Sequence, residues 1–123
     1  MCALRDDADL FISPTIEESL GMIFVEAMSQ GVACVGGRKS GAVPWVLNNG
    51  RAGFLANVMN PGQLADTLIE VLSDPASVAH MAEQGQQRAR NLFTLEAVAQ
   101  SYVREYERVL GQSHNEQQNP RVM

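Results

Sequence analysis

The first apolar run of the chain is Ala8-Asp9-Leu10-Phe11-Ile12-Ser13, and its central residues do not alternate with polar ones. Such a run predicts a parallel strand covered on both faces, and Pro14 ends it. Apolar positions then recur as a helix from about Gly21 to Gln30, with Gly31 placed as its C-terminal cap. Val32 to Val35 predicts a second short strand, followed by the glycine-rich loop Gly36-Gly37-Arg38-Lys39-Ser40-Gly41. Val43 to Leu47 reads as a short helix closed by Asn48-Asn49-Gly50, and Gly53 to Ala56 as a third strand. Asn60-Pro61-Gly62-Gln63 is a helix start: Asn60 can cap, Pro61 fits the first turn, and Gln63 can reach back as in a capping box. Leu64, Leu68 and Leu72 follow at a spacing that gives one apolar stripe. Asp74-Pro75 opens the next helix, and Thr94 caps the last, where Leu95, Val98, Tyr102 and Val109 supply an apolar face.

Strands alternating with helices imply an α/β fold, a partial Rossmann-like parallel sheet of about three strands with flanking helices and a C-terminal helical segment. Three strands are few for a doubly wound sheet, and the first lacks a neighbour. Residues 1–110 therefore read as part of a larger nucleotide-binding domain, and residues 111–123, polar and aperiodic, as a disordered tail. An uncovered parallel edge invites pairing, so a homo-oligomer through Ala8–Ser13 is expected.

Charge narrows the partners. A net charge of −5 without a basic cluster argues against nucleic acid and anionic membranes. No apolar run approaches the roughly 20 residues of a membrane helix, and Met1 to Asp7 lack signal-peptide character. Cys34, inside Val32-Ala33-Cys34-Val35, reads as a small buried hydrophobe, and Cys2 as terminal. Neither has a His or Cys partner at ligand spacing, so no metal or other cofactor is expected, and a reducing, cytoplasmic setting fits.

The candidate chemistry lies where the first strand gives way to the first helix. The first N–H groups of a helix lack intrahelical acceptors, and its dipole adds positive potential there, so this end can bind a phosphate without a basic side chain. Gly21 lets a ligand approach the backbone, and the amides of Gly21, Met22 and Ile23 are the candidate donors. Glu18 precedes that end, where a carboxylate accepts sugar hydroxyl hydrogen bonds. Glu26, just over a turn inside, can reach a ribose diol. Read as an isolated pair, the glutamates would serve only as a dipole partner and a solvated surface charge. In the glycine-rich loop, Lys39-Ser40 resembles the end of a Walker A sequence, but Arg38 occupies the required glycine, and a flexible connection is the simpler reading. His80 and His114 lack a Ser/Asp context, and Arg88, Arg90, Arg104 and Arg108 read as helix-surface charges.

The stretch from Pro14 through Glu17-Glu18-Ser19-Leu20-Gly21 to Glu26-Ala27-Met28-Ser29-Gln30-Gly31-Val32 resembles the E-x7-E segment of retaining glycosyltransferases of family 4. The resemblance continues in Gly50-Arg51-Ala52-Gly53-Phe54-Leu55, Leu72-Ser73-Asp74-Pro75 and Phe93-Thr94-Leu95-Glu96, covering about residues 4 to 110. It implies the GT-B fold, two Rossmann-like domains around a cleft, with this chain similar to the latter half of the donor-binding C-terminal domain. It further implies a UDP- or GDP-sugar as ligand, Glu18 near the reacting centre, and Glu26 on the ribose. The amides of Gly21, Met22 and Ile23 would hold the diphosphate, with Ser19 and Leu20 forming the loop beside it.

Ser19 and Leu20 replace the family's usual Gly-Phe, and Ala42 and Trp45 stand where Gly and Glu are frequent. An exposed Trp45 could stack on a base or sugar, and a buried one would be packing. The family's basic pair and its acceptor domain lie upstream of the matching segment. Phosphate leaving groups rely on cationic clamps, so the resemblance implies little transfer by this chain alone. Two alternatives compete: a non-catalytic, self-associating α/β module, and a fragment like the sugar-nucleotide 2-epimerases, whose Ser-Gly-Gly is not reproduced at Ser40-Gly41-Ala42.

Overall fold

The computed structural model describes residues 7–118, and the surroundings of side chains through residue 111. Three parallel strands form one sheet in the order β1 (Leu10–Ile12), β2 (Ala33–Gly37), β3 (Phe54–Ala56). Phe11 stands opposite Cys34, and Gly36 opposite Leu55. Among the described residues five helices follow the strands: α1 (Met22–Ser29), α2 (Val43–Val46), α3 (Pro61–Leu72), α4 (Pro75–Leu92) and α5 (Leu95–Gln118), with a 3-10 turn at Asn48–Gly50 after α2. Each strand leads to its helix across the C-terminal edge of the sheet, so the loops after β1, β2 and β3 share one side. Ligands of open parallel sheets bind on that side.

Helix α4 packs against both α1 and β2. The fully buried side chains are led by Phe24, Met28, Leu47, Val35, Val43 and Val46. Phe24 meets Phe11 edge-on with ring centroids 5.6 Å apart, which ties α1 to β1. Burying a phenylalanine side chain contributes roughly 1.5–3 kcal/mol, so Phe24 is the main anchor of α1. Cys34 is buried as the sequence predicts, and loss of water around it pushes its thiol up from 9.0 to about 12. It is a neutral core group at physiological pH.

The terminations follow from local chemistry. Helix α1 closes in a Schellman motif: Gly31 N–H donates to Met28 and Val32 N–H to Ala27, with Gly31 at φ 74°. Asn60, Asp74 and Thr94 accept from the backbone N–H of Gln63, Ser77 and Ala97 at 3.1, 3.2 and 3.1 Å, capping α3, α4 and α5.

Several expectations are revised. Strand β1 is only half-buried, with Ile12 38% exposed, because β2 is its sole neighbour in the sheet among the described residues. Strand β2 runs through Gly36 and Gly37, which the sequence reading placed in a loop. A β-carbon at Gly36 would come within 2.5 Å of Val43 and 3.0 Å of Phe24, so the bare strand makes room for two core residues. Gln63 does not close a capping box. Its Oε1 instead accepts from Asn57 Nδ2 at 2.8 Å. On α3, Val71 is buried while Leu72 is exposed. Helix α5 continues to Gln118, past Gly111, where the sequence reading begins its polar tail. Residues 119–123 lie outside the described residues.

Candidate functional site

Ser13 extends the β1 ladder by donating its N–H to Val35 at 3.2 Å, after which Pro14 turns the chain away from the sheet. The loop reaches α1 at Gly21, which caps the helix in the left-handed region at φ 73° and ψ 42°. A side chain there would be strained, and a β-carbon would lie 3.3 Å from the Phe24 ring. Phe24 N–H donates to the Gly21 carbonyl at 3.0 Å and Val25 N–H does so at 3.3 Å. The amides of Gly21, Met22 and Ile23 have no acceptor among the described residues. They form the unspent, positive end of the helix dipole.

On α1, Phe24, Val25, Ala27 and Met28 are buried while Met22, Ile23 and Glu26 are exposed. The outward face therefore carries Glu26 directly behind Met22 and Ile23. Side chains of a helix lean toward its N-terminus, so the Glu26 carboxylate extends over the turn that holds the free amides. Of the sequence-predicted site, α1 thus gathers Met22, Ile23 and Glu26 on one exposed face, while Gly21 at its start is buried. Ser19 and Leu20 are exposed on the loop beside it, and Glu18 is half-buried. Neither the Glu18 nor the Glu26 carboxylate has a partner among the described residues.

What holds Glu18 escapes a residue-type reading. Its carbonyl accepts the Ala42 N–H at 3.1 Å, a link between the loops after β1 and β2. Gly41, at φ 57°, lies so close that a β-carbon there would collide with the Glu18 carbonyl oxygen. The β2–α2 loop is thus a latch rather than a flexible connection. Gly41 was visible in the sequence, but a main-chain contact across loops leaves no side-chain signature to search for.

Arg88 is not a surface charge. Its guanidinium donates to the carbonyls of Val46 at 2.8 Å and Trp45 at 2.6 Å, at the end of α2 where the dipole is negative. It stands 5.4 Å from the Trp45 ring centroid, and Phe93 meets Trp45 edge-on at 5.6 Å. Desolvation lowers the Arg88 pKa from its ordinary value. Trp45 remains 54% exposed. The arrangement pins α2, whose first turn bears the Ala42 latch.

Clefts of about 690 and 470 Å3 are lined by residues other than Glu18 and Glu26. Among the described residues no group of three metal-ligating side chains converges, and no helix is long and apolar enough to cross a membrane.

Comparison with known proteins places the chain in a family and a fold. Residues 2–88 match the family model described as glycosyl transferases group 1. N-acetyl-alpha-D-glucosaminyl L-malate synthase of Bacillus anthracis is 32% identical over 108 residues, 88% of this chain and 28% of that protein. The chain therefore spans less than a third of this curated relative. The crystal structure of Anabaena Alr3699/HepE in complex with UDP superposes with a TM-score of 0.74 at 25% identity, over 85% of this chain and 29% of that one. Sucrose-phosphate synthase from Thermosynechococcus elongatus shares the fold with a TM-score of 0.73 at 23% identity, over 88% of this chain and 27% of its own. The α/β fold is that of part of a GT-B glycosyltransferase, and the chain belongs to the glycosyl transferases group 1 family.

Proposed function

We propose that this chain forms the donor side of a retaining, family 4 type glycosyltransferase and binds the diphosphate of a UDP- or GDP-sugar at the N-terminus of α1. The observation that carries the reading is the conjunction at that end: three unspent amides on a helix start fixed by a left-handed glycine, and Glu26 on the exposed face of the same helix. The amides of Gly21, Met22 and Ile23 neutralise the diphosphate through hydrogen bonds and the helix dipole. Glu26 accepts both hydroxyls of the ribose through its two carboxylate oxygens. Glu18, held through its carbonyl by Ala42, faces the sugar near the reacting centre, and Ser19 and Leu20 form the floor beside it. The UDP in the related HepE structure supports a uridine donor as the first to test. Donor binding, rather than transfer, is the activity proposed for these 123 residues by themselves.

Calorimetric titration with UDP-glucose and GDP-mannose tests the proposal. Saturable binding of one donor is expected, with Glu26→Ala weakening it by about tenfold, the scale of one lost charge-assisted hydrogen bond pair. Absence of binding at millimolar donor sinks the reading, and unchanged affinity in Glu26→Ala removes the ribose assignment.

A second reading is favoured by one observation: among the described residues β1 pairs with β2 alone, and Ile12 is exposed. Self-association through the β1 edge follows. Light scattering showing a monodisperse monomer at high concentration counts against it.

A further inference from the structure

The loops after β2 and β3 enclose a cleft of about 470 Å3, lined among others by Ile16, Arg38, Lys39, Ser40, Met59 and Gln63. No aspartate or glutamate lines it, although the chain carries a net charge of −5. Neither Arg38 nor Lys39 forms an ion pair among the described residues. Arg38 is held over the end of β3 by its guanidinium bond to the Leu55 carbonyl at 3.4 Å. Gln63 Oε1 is occupied by Asn57 Nδ2, which leaves the Gln63 NH2 group as a donor. Asn57 Oδ1 in turn accepts the Met59 N–H at 3.1 Å, fixing that orientation.

Ser40 is 1% exposed and lines the cleft. A β-carbon at Gly37 would collide with its hydroxyl, so a glycine makes its position possible. A hydroxyl beside two cations without ion pairs among the described residues and an amide donor suits a ligand rich in acceptors.

We propose that this cleft is a second anion site, separate from the helix end of α1, that takes a phosphate group borne by a small polar molecule. The guanidinium of Arg38, the ammonium of Lys39, the Ser40 hydroxyl and the Gln63 amide donate to the phosphate oxygens. Ile16, Val58 and Met59 supply an apolar wall for the organic body. The donor assignment to α1 uses different residues, so the two readings stand or fall separately.

The test is an amide NMR titration of the isotope-labelled full chain at matched ionic strength, with inorganic phosphate, glucose 6-phosphate and glucose as probes. Saturable shifts at Arg38, Lys39, Ser40 and Gln63 are expected from both phosphates and not from glucose. Additional shifts at Ile16 and Met59 with glucose 6-phosphate alone identify a phosphate monoester as the preferred ligand, and equal affinity and equal shifts identify free phosphate. Lys39→Ala, an exposed loop variant, weakens phosphate binding by about tenfold without altering the spectrum of the unliganded chain. Shifts confined to Gly21, Met22 and Ile23, shifts that do not saturate, or unchanged affinity in Lys39→Ala each overturn the proposal.

Discussion

Helices α1 and α5 both present apolar residues at helical spacing, and they are treated in opposite ways. The eight residues of α1 include four buried ones, Phe24, Val25, Ala27 and Met28. The 24 residues of α5 include Leu95, Tyr102, Tyr106 and Leu110, exposed by 91, 63, 67 and 69%. Apolar periodicity reports which face of a helix could be buried, while burial itself requires a surface to receive that face. Strand β2, α2 and α4 surround α1. Helix α5 leans on α4 near its start and has no comparable cradle among the described residues.

That contrast can be broken at three points. Phe24→Ala should cost about 3–5 kcal/mol, because it empties the centre of the core and removes the edge-on contact to Phe11. A loss of that size is much of a small domain's stability of roughly 5–15 kcal/mol. Urea unfolding measures it, and a loss below about 1 kcal/mol would mean that α1 is not anchored as described.

Gly41→Ala comes next, at about 2 kcal/mol, from a side chain in the left-handed region and a collision with the Glu18 carbonyl. Its signature is a displaced loop as well as lost stability. Amide spectra should move at Glu18 and Ala42, and donor affinity should fall more than global stability explains. If only the midpoint of unfolding moves, the latch is not coupled to the site.

Leu95→Ser should change stability by no more than about 0.5 kcal/mol, since that side chain is almost fully in water. A larger loss that grows with protein concentration would show that α5 is covered by another chain in solution. That outcome would turn the contrast between the helices into a difference of partners.

The order of elements was legible because each left a local signal. Pro14, Gly31, Asn60, Asp74 and Thr94 end or begin elements through their own chemistry, and all act as their types predict. The residues of the E-x7-E stretch lie on the loop before α1 and on the outward face of that helix. What stayed hidden depends on distant neighbours. Gly36 and Gly37 looked like loop residues, and only Phe24, Val43 and Ser40 explain why a strand there must be bare. Arg88 looked like one of several surface arginines until Val46 and Trp45 came within reach from α2.

The link from the Glu18 carbonyl to the Ala42 amide is made only of main-chain atoms. Loop position is therefore separated from loop chemistry. Ser19 and Leu20 are both exposed and take no part in that link, so they can vary without moving Glu18. A library randomised at those two positions, with Gly41 retained, would sample donor preference on a fixed frame.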